Sequence, residues 1–136
     1  MDPQEALFVN ARRGNEEDVE ELLSGQFKVD VNKAGSDGNT ALHLAASADH
    51  TKVAFLLIKA GANVNARNKQ QETPLHRAAL RGAFRTAKLL VFKGASLDAL
   101  DANKETPRQV AKAELREILT PGVEIKWEED QDDDST

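Results

Sequence analysis

The apolar residues of this chain come in short packets rather than long runs. Leu75, Ala78 and Ala79 form a stripe at helical spacing just behind Thr73-Pro74, where Thr73 suits an N-cap and Pro74 the first helical position. The pattern predicts a helix of about two turns. Its small alanines let a second helix pack closely, and Leu89-Leu90, like Leu56-Leu57, supplies that helix's buried side. Gly61 and Gly94 follow the leucine pairs and accept the left-handed conformation that ends a helix. From each glycine to the next threonine the chain is polar and turn-forming, which predicts a projecting hairpin.

The packets repeat. "GNTALHLAAS" at 38–47 returns as "QETPLHRAAL" at 71–80, so Thr40, Leu42, His43, Ala45 and Ala46 each recur 33 residues later. At the same offset "LLIKAGANVN" (56–65) becomes "LLVFKGASLD" (89–98), and Thr73-Pro74 becomes Thr106-Pro107. A fixed period of this size means stacked supersecondary units, none of which buries its apolar face alone.

The repeated residues resemble the ankyrin repeat. Asp37-Gly38, Thr40, Leu42 and His43, then Thr73-Pro74-Leu75-His76, match its opening motif, while Gly61-Ala62-Asn63-Val64-Asn65 and Gly94-Ala95 match its close. The resemblance covers residues 4 to 119 and implies an all-α ankyrin-repeat solenoid of stacked helix-turn-helix units with projecting β-turn hairpins. It divides the chain into an N-terminal capping repeat (1–36), two regular repeats (37–69 and 70–102), a shortened C-terminal cap (103–120) and an acidic tail with a short apolar segment (121–136). The first unit matches through Ala11, Gly14, Leu22, Leu23, Val31 and Asn32 but lacks Thr-Pro-Leu-His. The last carries Arg108-Gln109 in place of Leu-His, and its Ile118-Leu119 arrives four residues too early for a full second helix. Gln71 and Lys104 replace the glycine that opens the family's turn, so the last two tips are expected to be distorted.

With 136 residues, 40% of them hydrophobic, the chain suits one domain. It has no cysteine, which excludes a disulfide framework or thiolate metal site and favours an intracellular setting. The N-terminus begins acidic, without a basic region and apolar run, and no stretch approaches the roughly 18 apolar residues of a membrane span. A soluble protein of cytoplasm or nucleus is the expectation. The resemblance gives Thr40 with His43, and Thr73 with His76, structural work: threonine caps the helix and imidazole bonds neighbouring backbone. The two histidines lie one repeat apart without convergent carboxylates or thiols, and His50 is expected to be structural too. No nucleophile and base pair, phosphate-cradling loop or metal spacing occurs, so no enzyme activity, metal or cofactor is expected.

What remains is surface. The resemblance implies protein binding through hairpin tips and the exposed side of the first helices, which carries over here to Arg12, Arg13, Lys33, Arg67, Lys69, Gln70, Leu80, Arg81, Leu100 and Asn103. Charge adds detail: the chain is −5 overall, but residues 120–136 are −6, residues 40–100 are +6 and residues 1–36 are −4. Arg12, Arg13, Lys33, Arg67, Lys69 and Arg81 would form a basic strip favouring acidic protein segments or phosphates. Leu80 and Leu100, flanked by Arg81 and Arg67, would form its apolar centre. The expected partner is a protein bound by a chain monomeric on its own. Direct nucleic-acid binding is disfavoured by the net charge and the polyacidic end.

The tail supports a second hypothesis, an assembly chaperone or escort whose acids shield a basic client such as a ribosomal or histone-like protein. Val123, Ile125 and Trp127 alternate, which puts them on one side of an extended segment expected to dock on the last repeats or on a partner. Beyond Glu129 the polyacidic end is expected to stay mobile, having no apolar groups to offset ordering. Asn65 resembles the ankyrin asparagines that are hydroxylated in animal cells; hydrogen bonding within the hairpin is its competing role.

Overall fold

The computed structural model describes residues 1–127, and the expected polyacidic end lies outside the described residues. Four helix pairs follow one another: α1 (Pro3–Arg13) with α2 (Glu16–Leu22), α3 (Ala41–Ser47) with α4 (Thr51–Lys59), α5 (Pro74–Arg81) with α6 (Phe84–Phe92), and α7 (Pro107–Val110) with α8 (Ala113–Arg116). The first helices, α1, α3, α5 and α7, pack side by side as one layer, and α2, α4 and α6 as a second layer behind it.

Each regular pair starts from a reciprocal cap. His43 donates its backbone N–H to Thr40 Oγ1 at 3.4 Å, while Thr40 N–H donates to His43 Nδ1 at 3.1 Å. Thr73 and His76 repeat this at 3.2 and 3.1 Å. In α7 the second partner is Gln109, whose Oε1 accepts from Thr106 N–H at 2.8 Å, so the fourth unit keeps the cap without a histidine. The first unit opens on Asp2-Pro3, with Asp2 Oδ1 accepting from Glu5 N–H at 2.8 Å. Asp2-Pro3 thus does the work of Thr-Pro.

Behind the caps the leucines and alanines interlock. Leu7, Leu42 and Leu75 are fully buried along the first layer, Val53, Leu57, Leu89 and Leu90 in the second, and Leu115 and Leu119 close the last unit. Alanines 11, 45, 46, 78 and 79 are also fully buried and allow the close approach. A polar strut joins α4 to α6: Thr86 Oγ1 donates to Asp49 Oδ1 at 2.7 Å and lies 2.9 Å from Thr51 Oγ1. Thr51 and Thr86 are buried, and each finds a partner in the other.

The hairpins are turns, with no strand among the described residues. Gly35 to Asn39, Asn68 to Glu72 and Asp101 to Glu105 close identically, each first N–H donating to the last carbonyl at 3.0 Å. The expected distortion at Gln71 and Lys104 is absent: both take φ 61°, beside 83° at Gly38. A left-handed L-residue costs about 1–2 kcal/mol, and here the turn is braced by side chains. Asn68 Oδ1 accepts from Gln70 and Glu72 N–H, and Asp101 Oδ1 from Asn103 and Glu105 N–H, all at 2.9 Å. The first tip has Gly35 where those braces stand, and its Gly38 answers a different need: a Cβ there would lie 2.6 Å from Lys69 N. Neighbouring tips are stitched by Lys69 N–H to the Asp37 carbonyl at 3.3 Å and Ala102 N–H to the Gln70 carbonyl at 2.9 Å.

Leu75 tests this packing. Its side chain is fully buried between α3 and α7 in the first layer. Leu75→Ala should lower unfolding free energy by about 2–5 kcal/mol, read from the urea midpoint; an unchanged midpoint would show that the leucine carries no packing load.

Candidate partner-binding surface

The side of the first layer that faces away from the second helices is open. On α5 it presents Arg77, Leu80 and Arg81, which stand 33 residues after Leu44 and Ser47 of α3 and its C-cap Ala48, and therefore in register beside them. Leu80 is 44% exposed and Leu100 47%, so the short last unit leaves both uncovered. They are not neighbours. Leu100 sits at the base of the third tip, whereas Leu80 lies in the last turn of α5, seven residues beyond the Thr73 cap, a rise of about 10 Å.

The basic residues divide in the same way. Lys33, Arg67 and Lys69 are exposed along the tips. Arg12, Arg13 and Arg81 are exposed at the far ends of α1 and α5, where Lys112 also packs against Gly82. The strip expected from sequence is thus two rows along the edges of the open face. Arg67 is the most constrained member, because its Nη1 donates to the Leu100 carbonyl at 2.5 Å and to the Gln71 carbonyl at 3.4 Å. This brings Arg67 and Leu100 together across one repeat boundary. Gln70 joins them through its carbonyl bond to Ala102 N–H, and exposed Asn103 crowns the third tip.

Between the rows stands Arg77, which the sequence reading passed over. Its Nε donates to Ser47 Oγ at 2.9 Å, and its Nη1 lies 3.6 Å from Glu72 Oε1. It crosses the face from α5 to α3. The available signal was the position one residue after His76, which takes the place of Leu44 one repeat earlier. Tip acids are turned to internal work: Glu72 Oε1 accepts from Asn68 Nδ2 at 2.9 Å, and Asp101 accepts backbone N–H groups. Asp37 binds Asn39 N–H, which holds its carboxyl below the ordinary range although the group is nearly all exposed.

The repeated histidines lie beneath this face. Because His43 Nδ1 accepts from Thr40 N–H, the ring proton belongs on Nε2, which donates to the Glu72 carbonyl at 2.8 Å. His76 Nε2 meets the Glu105 carbonyl at the same distance. His50 Nε2 lies 3.0 Å from the Arg12 carbonyl, tying the second unit to the first. Among the described residues, no group of three or more His, Cys, Asp or Glu side chains is placed to hold a metal ion, and no helix is long and apolar enough to cross a membrane.

Asn65 Oδ1 accepts from Ser96 N–H at 2.8 Å, repeating Asn32 Oδ1 with Asn63 N–H at 2.7 Å one unit earlier. In the segment after α8, Trp127 is half-buried against the core with Arg85 5.7 Å from its ring, and Ile125 is half-buried. Val123 differs. It is exposed, its N–H donating to the Thr120 carbonyl in the turn at Pro121-Gly122, so the three alternating side chains do not share one contact.

A stack of capped helix pairs joined by turns, with an open face of repeat-aligned side chains, defines a repeat-built scaffold. The family model for ankyrin repeats in three copies matches residues 4–111. The chain belongs to the ankyrin-repeat family. Over 61 residues it is 44% identical to alpha-latrocrustotoxin-Lt1a of Latrodectus tredecimguttatus, covering 45% of this chain and 4% of that protein. It is 38% identical over 66 residues to human oxysterol-binding protein-related protein 1, covering 48% and 7% of the two chains. Palmitoyltransferase akr1 of Schizosaccharomyces pombe is 40% identical over 61 residues, covering 45% and 9%. The chain therefore spans less than a tenth of each of these relatives.

His43 gives a measurable consequence. Burial holds its pKa below the ordinary histidine value of 6.5, since the charged ring is poorly solvated there. The unfolded chain therefore binds the proton more readily. Stability from this site is complete above about pH 6.5 and is lost as pH falls from there towards the lowered folded value. Urea midpoints between pH 7.5 and about pH 5 should fall, and His43→Gln, which retains a capping amide, should flatten that fall while lowering the plateau. An equal slope in both proteins would place the titration elsewhere.

Proposed function

We propose that the chain is a non-catalytic protein-recognition module whose open first-helix face takes an acidic, amphipathic segment of a partner protein. Ankyrin repeats are generally protein-interaction modules, and that gives the class. The partner's chemistry rests on one observation: the tip acids Glu72 and Asp101 are engaged in bonds within the turns, while Lys33, Lys69, Arg12, Arg13 and Arg81 stand exposed along both edges. An approaching segment meets a basic rim on either side, with Leu80 in the last turn of α5 and Leu100 at the base of the third tip as separate apolar footholds. Such a rim sets orientation and on-rate, and desolvated apolar contacts supply the affinity.

Selection from a random peptide library displayed against the full chain tests the reading. Enriched peptides should combine Asp or Glu with spaced apolar residues, and their affinity should fall steeply with added salt. Replacing both Leu80→Asp and Leu100→Asp should weaken them at least about tenfold, leaving circular dichroism and the melting curve unchanged. Peptides rich in Lys and Arg, indifferent to that double replacement, would favour the chaperone reading instead.

A further inference from the structure

The second layer carries an unbalanced face of its own. α4 contributes Lys52 and Lys59, α6 contributes Arg85 and Lys88, and Lys93 caps its end, while neither helix contains a single Asp or Glu. Aromatic rings lie between these cations. Phe84 is 40% exposed and Phe92 46%, with Lys88 Nζ 5.8 Å from the Phe84 ring and Lys93 Nζ 5.5 Å from Phe92 and 5.7 Å from Phe55. The neighbouring α2 bears acids at Glu16, Glu17, Asp18, Glu20 and Glu21. Within the second layer the cations are therefore concentrated on α4 and α6, not on α2.

The described chain ends on this same face. Trp127 packs beside Arg85 in the first turn of α6, and its indole N–H is buried without a hydrogen-bond partner among the described residues. A buried donor without a partner is unfavourable, so contacts that add to the Arg85 and core packing of this ring are favoured there. The next residues are Glu128, Glu129, Asp130, Gln131, Asp132, Asp133 and Asp134. They follow directly from a point at the edge of the basic face.

We infer that the acidic segment 128–136 is the occupant of the α4–α6 face, an intramolecular ligand that lies over Lys52, Lys59, Lys88 and Lys93 and holds Trp127 in its slot. Nine extended residues span about 30 Å, whereas α6 is about 13 Å long, so the segment covers the face with length to spare. Tethering at Trp127 supplies an effective concentration of about millimolar, enough for a weak, purely electrostatic contact. The open face of the first layer is on the opposite side of the molecule and stays clear for a partner. The inference is independent of the groove's ligand.

A peptide of residues 128–136 and a full chain carrying Glu128→Gln, Glu129→Gln, Asp130→Asn, Asp132→Asn, Asp133→Asn and Asp134→Asn provide the test. At low salt the peptide should bind the neutralised chain about tenfold or more tightly than the native chain, whose own segment competes. Lys59→Glu with Lys88→Glu should abolish that binding, with circular dichroism confirming the fold. The chain has no cysteine, so Ser135→Cys gives a unique site for a nitroxide label in the otherwise native chain. Amide relaxation should be enhanced along α4 and α6, not around Arg12, Arg13 and Lys33, and the contrast should vanish as salt is raised to about 1 M. Equal peptide affinity for the two chains, no binding to either, or relaxation concentrated on the first-layer face would overturn the inference.

Discussion

The structure depends on a ring with two usable nitrogens. In His43 one nitrogen caps the helix of its own unit and the other reaches the Glu72 carbonyl in the next, and His76 repeats the arrangement with Glu105. A helix of seven or eight residues is far too short to persist alone. The histidine therefore couples two otherwise marginal events: starting the helix and seating the following turn against it. Leucine packing supplies most of the energy in such a stack, but it is non-directional. The imidazole bridge fixes the register in which the leucines meet, and with it the alignment of every exposed side chain.

That alignment explains how charge is sorted. Side-chain oxygens at the tips lie near backbone N–H groups that must be satisfied, so Asn68 and Asp101 brace the turns and Glu72 is drawn between Asn68 and Arg77. Arg67 and Arg77 are drawn into such bonds as well, while Lys33, Lys69, Arg12, Arg13 and Arg81 stand exposed at the edges of the face. In the second layer, Lys88 and Lys93 sit over phenylalanine rings instead of pairing with acids of α4 or α6, which have none.

Much of this was legible because the repeat announces it. Thr40, Thr73 and Thr106 open helices where the sequence places them, and Gly61 and Gly94 follow the ends of α4 and α6. Less visible were contacts joining residues one repeat apart without sharing a type. Arg67 with the Leu100 carbonyl, Arg77 with Ser47, and Asp49 with Thr86 each depend on the superposition of units, which a linear pattern does not weigh side by side. The tips misled for a related reason. Glycine at Gly38 suggested that the turn needs glycine, whereas Asn68 and Asp101 hold the same geometry around Gln71 and Lys104. The basic face of α4 and α6 is not visible in the linear pattern, because Lys52 and Lys59 come beside Arg85 and Lys88 only when the two helices lie side by side. The separation of Leu80 from Leu100 likewise required the length of α5 to be seen in space.

Gln109 has one further meaning. Its amide keeps the inward half of the histidine's role, capping Thr106, and among the described residues its side chain bonds only within its own unit. Nothing projects from it towards a following turn. The fourth unit therefore finishes a helix start without offering the next unit a place to register, and Leu115 and Leu119 fold back over the exposed end instead. Among the described residues, the side-chain bridge from one unit to the next turn is therefore a property of His43 and His76 that the capping amide of Gln109 does not share.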